Sequence, residues 1–358
     1  MAKLAGVDRG VMYCLREDVK RALDVQETAR TNTQIDRAIR SATPAIEAQM
    51  GRIFYPLKTV AKFDWPQLPY TGSVPWRLWL DEGEILTLDT LTSGDVVIGA
   101  GGYFLEPVNS GPPYSHVDIN LGSSSVYAAG ATWQQSTTLA GTFGYTDATE
   151  PAGSLAAAVA DTTATSVTIG PSNVVGVGSI LLVDSERMMV IGRSMADTAQ
   201  TLQADLGSLN SATVIAVGDG SKFAQDETIL IDGERMLIVD IAGDTLVVKR
   251  AWDGSVLAAH TQDTHIYAPR LLAVIRGALG TTPATHMLGA AVGAHIVPPG
   301  IRNLAVAEAM TQLLNEQAGY ARTVGSGDNV RDASGAQLKD LRALAVDAYA
   351  RKARVYAI

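Results

Sequence analysis

Apolar positions in the first sixty residues recur at helical spacing. Leu15, Val19, Ala22 and Leu23 fall on one helix face, with Arg16, Glu17, Lys20 and Arg21 opposite. A second stripe, Ile35, Ile39, Ala42, Ile46 and Met50, predicts another helix. Thr33 and Asp36 have the spacing of a capping box at its start. Pro44 is expected to kink or break it, and Gly51 and Pro56 to end it. From Phe63 to Tyr145 the period falls to two, as in Arg77-Leu78-Trp79-Leu80 and His116-Val117-Asp118-Ile119, with Gly- and Pro-rich turns between the runs. This predicts a β-sandwich or barrel. The helical period resumes only after Pro298-Pro299-Gly300. There, Val306, Met310, Leu313, Leu314 and Ala318 form one stripe, and Leu338, Leu341, Ala345, Ala348 and Tyr349 another, the second preceded by a possible capping box at Ser334 and Gln337.

Residues 151–299 repeat themselves. Ile180–Val190 matches Thr228–Ile238 around Asp-Ser-Glu-Arg-Met and Asp-Gly-Glu-Arg-Met. Arg250, Gly254, Ser255, Ala258 and His260 recur at the same spacings as Arg276, Gly280, Thr281, Ala284 and His286. Small all-β units that bury a face against each other account for both patterns. The expected fold class is therefore α+β: a helical bundle formed by the N- and C-terminal segments, a β-sandwich or barrel portion, and a large inserted all-β repeat domain. The divisions are 1–60, 61–150, 151–299 and 300–358.

Composition narrows the function. A hydrophobic fraction of 47% suits a folded chain, and no apolar run is long enough to span a bilayer. Met1–Met12 lacks the apolar core of a signal peptide, so none is expected. The net charge of −9 argues against a protein that wraps nucleic acid. The charge is uneven. Residues 1–60 and 300–358 are slightly basic, whereas 61–299 hold 10 Lys and Arg against 24 Asp and Glu. Cys14 is the sole cysteine, which excludes an intramolecular disulfide and reads as a buried structural thiol.

Asp184 with Glu186 and Asp232 with Glu234 are paired carboxylates that suggest acid–base work or calcium. An apolar run, Asp-Gly or Asp-Ser, and a second apolar run is instead a hairpin signature, with Asp-Gly supplying the positive φ of a type I′ turn. His260 and His286 each sit in a repeat of their own and read as local hydrogen-bonding groups rather than metal ligands. His116, His265 and His295 complete no metal-binding array. No cofactor, metal or catalytic residue is assigned.

The N-terminal runs Tyr13–Leu23, Ile35–Ile39 and Arg52–Pro56 resemble those of head–tail connector (adaptor) proteins of long-tailed bacteriophages, particularly actinobacterial ones. Phe63–Pro66, Leu105–Pro107, Gly111–Tyr114 and Gly141–Tyr145 are similar to the β portion of that family. Asp340–Arg342 and Tyr349–Arg351 fit its C-terminal helices. The resemblance covers roughly residues 11–145 and 300–354 and implies a non-enzymatic virion protein, assembled in the host cytoplasm. It implies a ring, usually dodecameric, beneath the portal that extends the DNA channel toward a downstream stopper or tail protein. Carried over, 14–55 and 301–350 form the bundle, with Ile35, Ile39, Met310, Leu313, Leu338 and Leu341 on subunit-interface helices. Arg351, Lys352, Arg354, Val355, Tyr356 and Ile358 form the portal-docking tail. The block 151–299 departs from the family and is expected to project as a decoration or to reach capsid or other neck proteins. DNA would pass the acidic middle without specific binding. Another ring-forming neck or tail-completion protein, a β-rich carbohydrate-active enzyme and a β-repeat adhesin are the competing readings. Only 6% aromatic residues weakens the enzyme, and the lack of a secretion signal weakens the adhesin.

Overall fold

The computed structural model describes residues 4–23, 32–66, 75–81, 83–317, 323–324, 331–332 and 336–351. These residues mix α-helices with antiparallel sheets. The helices are α1 (Arg16–Ala22), α2 (Asn32–Met50), α3 (Pro299–Gln317) and α4 (Ala336–Tyr349). All four contribute to one core, built around Val19, Ile35, Ile39, Ile46, Leu304, Ala309, Leu313, Leu338 and Ala345 and closed by Tyr13, Phe54 and Tyr55. Ends distant in sequence thus meet because each carries an apolar stripe that the other helps to cover. Asp18 accepts the Leu15 N–H at the start of α1 (2.9 Å) and also receives both arms of Arg302 on α3 (2.9 Å each). One carboxylate therefore caps one helix and ties it to another.

Two expectations for α2 change. The helix runs unbroken through Pro44, because Ile39 on one side and Ile46 on the other are both fully buried in the same core. Tertiary packing outweighs the lost N–H. Thr33 lies inside the helix, and Asp36 is turned to Arg16 of α1 instead of serving as a capping-box partner (Arg16 Nη2 to Asp36 Oδ2, 2.5 Å). Gly51, at φ +67°, ends α2 as expected. Cys14 is buried, and burial pushes its thiol well above the usual range, as a structural thiol requires. Ser334 lies outside the described residues.

Between α2 and α3 the chain is β. The first strands are β1 (Leu57–Phe63), β2 (Arg77–Trp79), β3 (Ile85–Ser93), β4 (Val96–Ile98), β5 (Tyr103–Glu106), β6 (His116–Ile119) and β7 (Thr137–Phe143). They make a four-stranded sheet, β1-β7-β3-β4, and a three-stranded sheet, β2-β6-β5. Phe63, Leu91, Leu139 and Phe143 of the first share a core with Leu78, Val117 and Ile119 of the second.

The repeat region adds β8 (Thr149–Ser154), β9 (Ser166–Thr168), β10 (Ile180–Val183), β11 (Glu186–Thr201), β12 (Val214–Ala216), β13 (Thr228–Ile231), β14 (Glu234–Ala242), β15 (Thr245–Lys249), β16 (His265–Ile275) and β17 (Ala291–His295). They form a single ten-stranded sheet whose main path is β12-β15-β14-β13-β16-β11-β10-β17-β8, with β9 on β16. Two further short strands, β18 (Thr323–Val324) and β19 (Arg331–Asp332), pair between α3 and α4.

The two repeats are nested rather than consecutive. Hairpin β13–β14 and the Arg250–His260 segment close one unit with its own core around Ile229, Met236, Leu246 and Phe223. In sequence that unit falls between β11 and β16, the two long strands of the other unit, which pair with each other. The outer unit, with its core around Leu181, Met188, Leu272 and Val292, is completed only by Arg276–His286. Backbone bonds recur in both: Leu206 pairs with His260 where Val159 pairs with His286. Arg270 on β16 joins the units through a bidentate pair with the buried Glu227 (2.8 Å).

The repeat region is not a tethered appendage. Val177, Ile180, Met189 and Ala278 belong to the same core as the helices, and the Met12 N–H donates to the Gly178 carbonyl (3.2 Å). Lys20 on α1 reaches Asp253 of the inner unit (2.5 Å), and Glu17 receives Arg193 of the outer one (3.3 Å).

Candidate assembly interface and buried ionic clusters

The carboxylate pairs of the hairpins do converge, and the group on which each converges is a histidine. The Asp opening each two-residue turn takes the positive φ, 52° at Asp184 and 50° at Asp232. This leaves Glu186 and Glu234 as the first residues of β11 and β14, pointing inward and fully buried. Glu186 accepts both arms of Arg276 (2.7 and 2.8 Å) and the backbone N–H groups of Gly277 and Ala284 (2.8 Å each). His286 spans from Glu186 (Nε2, 2.9 Å) to Asp184 (Nδ1, 2.7 Å). The inner unit repeats every bond: Arg250 on Glu234 (2.7 and 2.8 Å), the N–H groups of Ala251 and Ala258 (2.9 and 3.0 Å), and His260 between Glu234 (3.0 Å) and Asp232 (2.7 Å). Each guanidinium is further capped by carbonyls, including Ala284 and Ala258.

Chemically these clusters are locks. Every oxygen of the buried carboxylate is bonded within its unit, and the donors come from segments that only the closed fold brings together. No group of three or more His, Cys, Asp or Glu among the described residues has the arrangement of a metal site. Burial alone would raise the Glu186 and Glu234 carboxyls. The guanidinium, backbone and histidine bonds outweigh it and hold both at about 2, against an ordinary 4.5. A depressed folded-state value contributes stability that is complete above the unfolded value and is lost as pH falls through the folded one. We therefore expect the repeat region to lose stability between pH 4.5 and 2. An acid titration followed by circular dichroism checks this, and Glu186→Gln/Glu234→Gln should flatten that limb.

Another buried carboxylate anchors the N-terminal segment. Glu47 on α2 accepts the Tyr13 hydroxyl (2.9 Å) and the Gly6 N–H (2.8 Å), and burial pushes it up to about 7.

The expected subunit-interface residues divide. Ile35, Ile39, Leu313 and Leu338 lie inside the chain's own core, and Met310 packs against it. Those four are covered by the chain's own helices. Periodicity reveals that a face is buried, not what buries it. Leu341 is exposed, and it belongs to a second stripe of α4 that periodicity did not separate from the first: Leu341 (37% exposed), Leu344 (68%) and Ala348. This stripe lies beside the covered one of Leu338, Ala345 and Tyr349, so α4 is apolar over a wider arc than the other described residues cover.

Of the expected docking tail, Arg351 is described. Its N–H donates to the Met50 carbonyl (2.9 Å), and its guanidinium donates to the carbonyls of Leu80 and Asp81. Arg351 is thus tied both to the end of α2 and to the β portion. Lys352, Arg354, Val355, Tyr356 and Ile358 lie outside the described residues. No helix among the described residues is long and apolar enough to cross a membrane. No family model, curated protein or solved structure matches the chain.

Proposed function

We propose that the chain is a structural subunit of the head–tail junction of a tailed phage virion. In this reading it forms a ring, an adaptor that joins the portal to the next neck or tail protein and extends the DNA channel. The four helices are the adaptor's bundle, the two small sheets its β-sandwich, and the ten-stranded sheet a repeat domain that faces capsid or neck proteins. The segment after Arg351 is the portal-docking tail.

The observation that carries the reading is the uncovered apolar stripe of α4. Leu344 is 68% exposed, on a helix whose other apolar side is already seated in the core. A contiguous exposed apolar row on an ordered helix is the mark of a surface made for another protein. Two further features agree with it. The helical segments that carry the family resemblance share one core, and Arg351 is held between the end of α2 and the β portion.

The test is the sedimentation of purified chain with and without the portal. The expected result is a multimer that co-sediments with the portal and retains no duplex DNA at physiological salt, since 61–299 are acidic overall. A monomer indifferent to the portal, or salt-dependent retention of DNA, would count against it.

A further inference from the structure

Among the described residues the four-stranded sheet has two open edges, and they match. We propose that this sheet continues from one copy of the chain to the next, β4 of one copy pairing antiparallel with β1 of its neighbour, with Val97 opposite Val60 and Asp95 opposite Lys62. The inference rests on the ring reading above and names the contact that closes the ring.

The backbone sets the register. On β1 the exposed residues alternate as Lys58, Val60 and Lys62. The Lys58 carbonyl faces outward to Gly280, where an added Cβ would lie 1.9 Å from it. Successive strand residues turn their N–H and C=O to opposite sides, so Val60 and Lys62 share the outward direction of Lys58. The turn at Ala278–Gly280 covers only the Lys58 end. Beyond it, a groove of about 710 Å³ runs along Thr59–Asp64, with Leu4 and Phe143 among its walls.

On the other edge, β3 and β4 meet in a two-residue turn, Gly94-Asp95, with φ +54° and +66°. This is the type I′ form, whose closing pair, here Ser93 and Val96, exchanges hydrogen bonds. The next pair, Thr92 and Val97, therefore does not, and the N–H and C=O of Val97 point out of the sheet. Val97 is 65% exposed and Val60 is 59% exposed.

Placing Val97 opposite Val60 puts Asp95 opposite Lys62. The pair joins two β-branched residues and two opposite charges, both favourable cross-strand neighbours. Within the described residues neither Lys62 nor Asp95 takes part in a salt bridge. The faces also agree. Val60 pairs with Ala140 and Lys62 with Thr138, while Val97 reaches Thr138 through Thr92, so all three side chains stand on the sheet's solvent face. Direction agrees as well. Four antiparallel strands in the order β1-β7-β3-β4 return the alternation to its start, so a fifth strand runs as β1 does. The next copy then has the same orientation as the first, the head-to-tail relation that a closed ring requires.

The test is disulfide trapping in the full chain. Val60→Cys/Val97→Cys, oxidised with copper phenanthroline, should give a ladder of covalent multimers on a non-reducing gel, while either single variant should give none. Both positions are exposed, and circular dichroism confirms the fold. The native Cys14 is buried. Multimers in sedimentation without a ladder would overturn the edge pairing and leave the ring reading standing. A chain that stays monomeric with the portal present would overturn both.

Discussion

Glu234→Ala should collapse the inner repeat unit. The variant removes the one carboxylate that accepts both arms of Arg250, two backbone N–H groups and His260. The side chains of Glu234 and Arg250 are both fully buried, so the guanidinium would remain as an unpaired charge without water. Breaking a buried pair from one side costs roughly 3–5 kcal/mol. That approaches the whole stability of a small domain, about 5 kcal/mol at the low end. Hydrogen exchange is the suitable readout: protection should fall across β12–β15, while α2 and α3, which pack in a separate core, should keep theirs. Asp232→Asn is the matched control. Its side chain is 61% exposed, and its bond to His260 lies at the rim of the cluster, so a loss of under about 1 kcal/mol is expected. Equal losses for the two variants would show that the cluster is not the lock its geometry describes.

That cluster also shows what the sequence could reveal. The spacing of Asp232, Glu234, Arg250 and His260 and its echo at Asp184, Glu186, Arg276 and His286 were plain in the chain, and so was the hairpin at each Asp. The assignment of arginine to glutamate was not. Glu186 finds Arg276 across the whole inner unit, and only a nested arrangement puts the nearer Arg250 with the later hairpin. The order of the four segments, two hairpins followed by two Arg-to-His segments, carried that signal. The helices were legible as stripes, yet the stripes of Ile35 and Leu313 cover each other, and no local pattern states that partner. Pro44 misled because propensity is local and the Ile39–Ile46 packing is not. The open edges of β1 and β4 were invisible because exposure at an edge depends on strand order.

Removing residues 352–358 should abolish portal association without disturbing the fold. The contacts of Arg351 with Met50, Leu80 and Asp81 are kept by the truncation. The segment lost contains Arg354, Val355, Tyr356 and Ile358, a cation among apolar and aromatic anchors. Residues of this kind cost about 2 kcal/mol or more each when truncated at an interface centre. Loss of two such anchors weakens binding by about 1,000-fold. Pull-down with the portal and a thermal melt separate the two effects: binding should vanish while the melting temperature holds.

Electron cryo-microscopy of the chain bound to purified portal decides whether the ring exists. A closed ring of this chain coaxial with the portal is expected, with density after Arg351 running from each subunit into the portal. Portal particles without such a ring, beside free monomers, would contradict the adaptor reading.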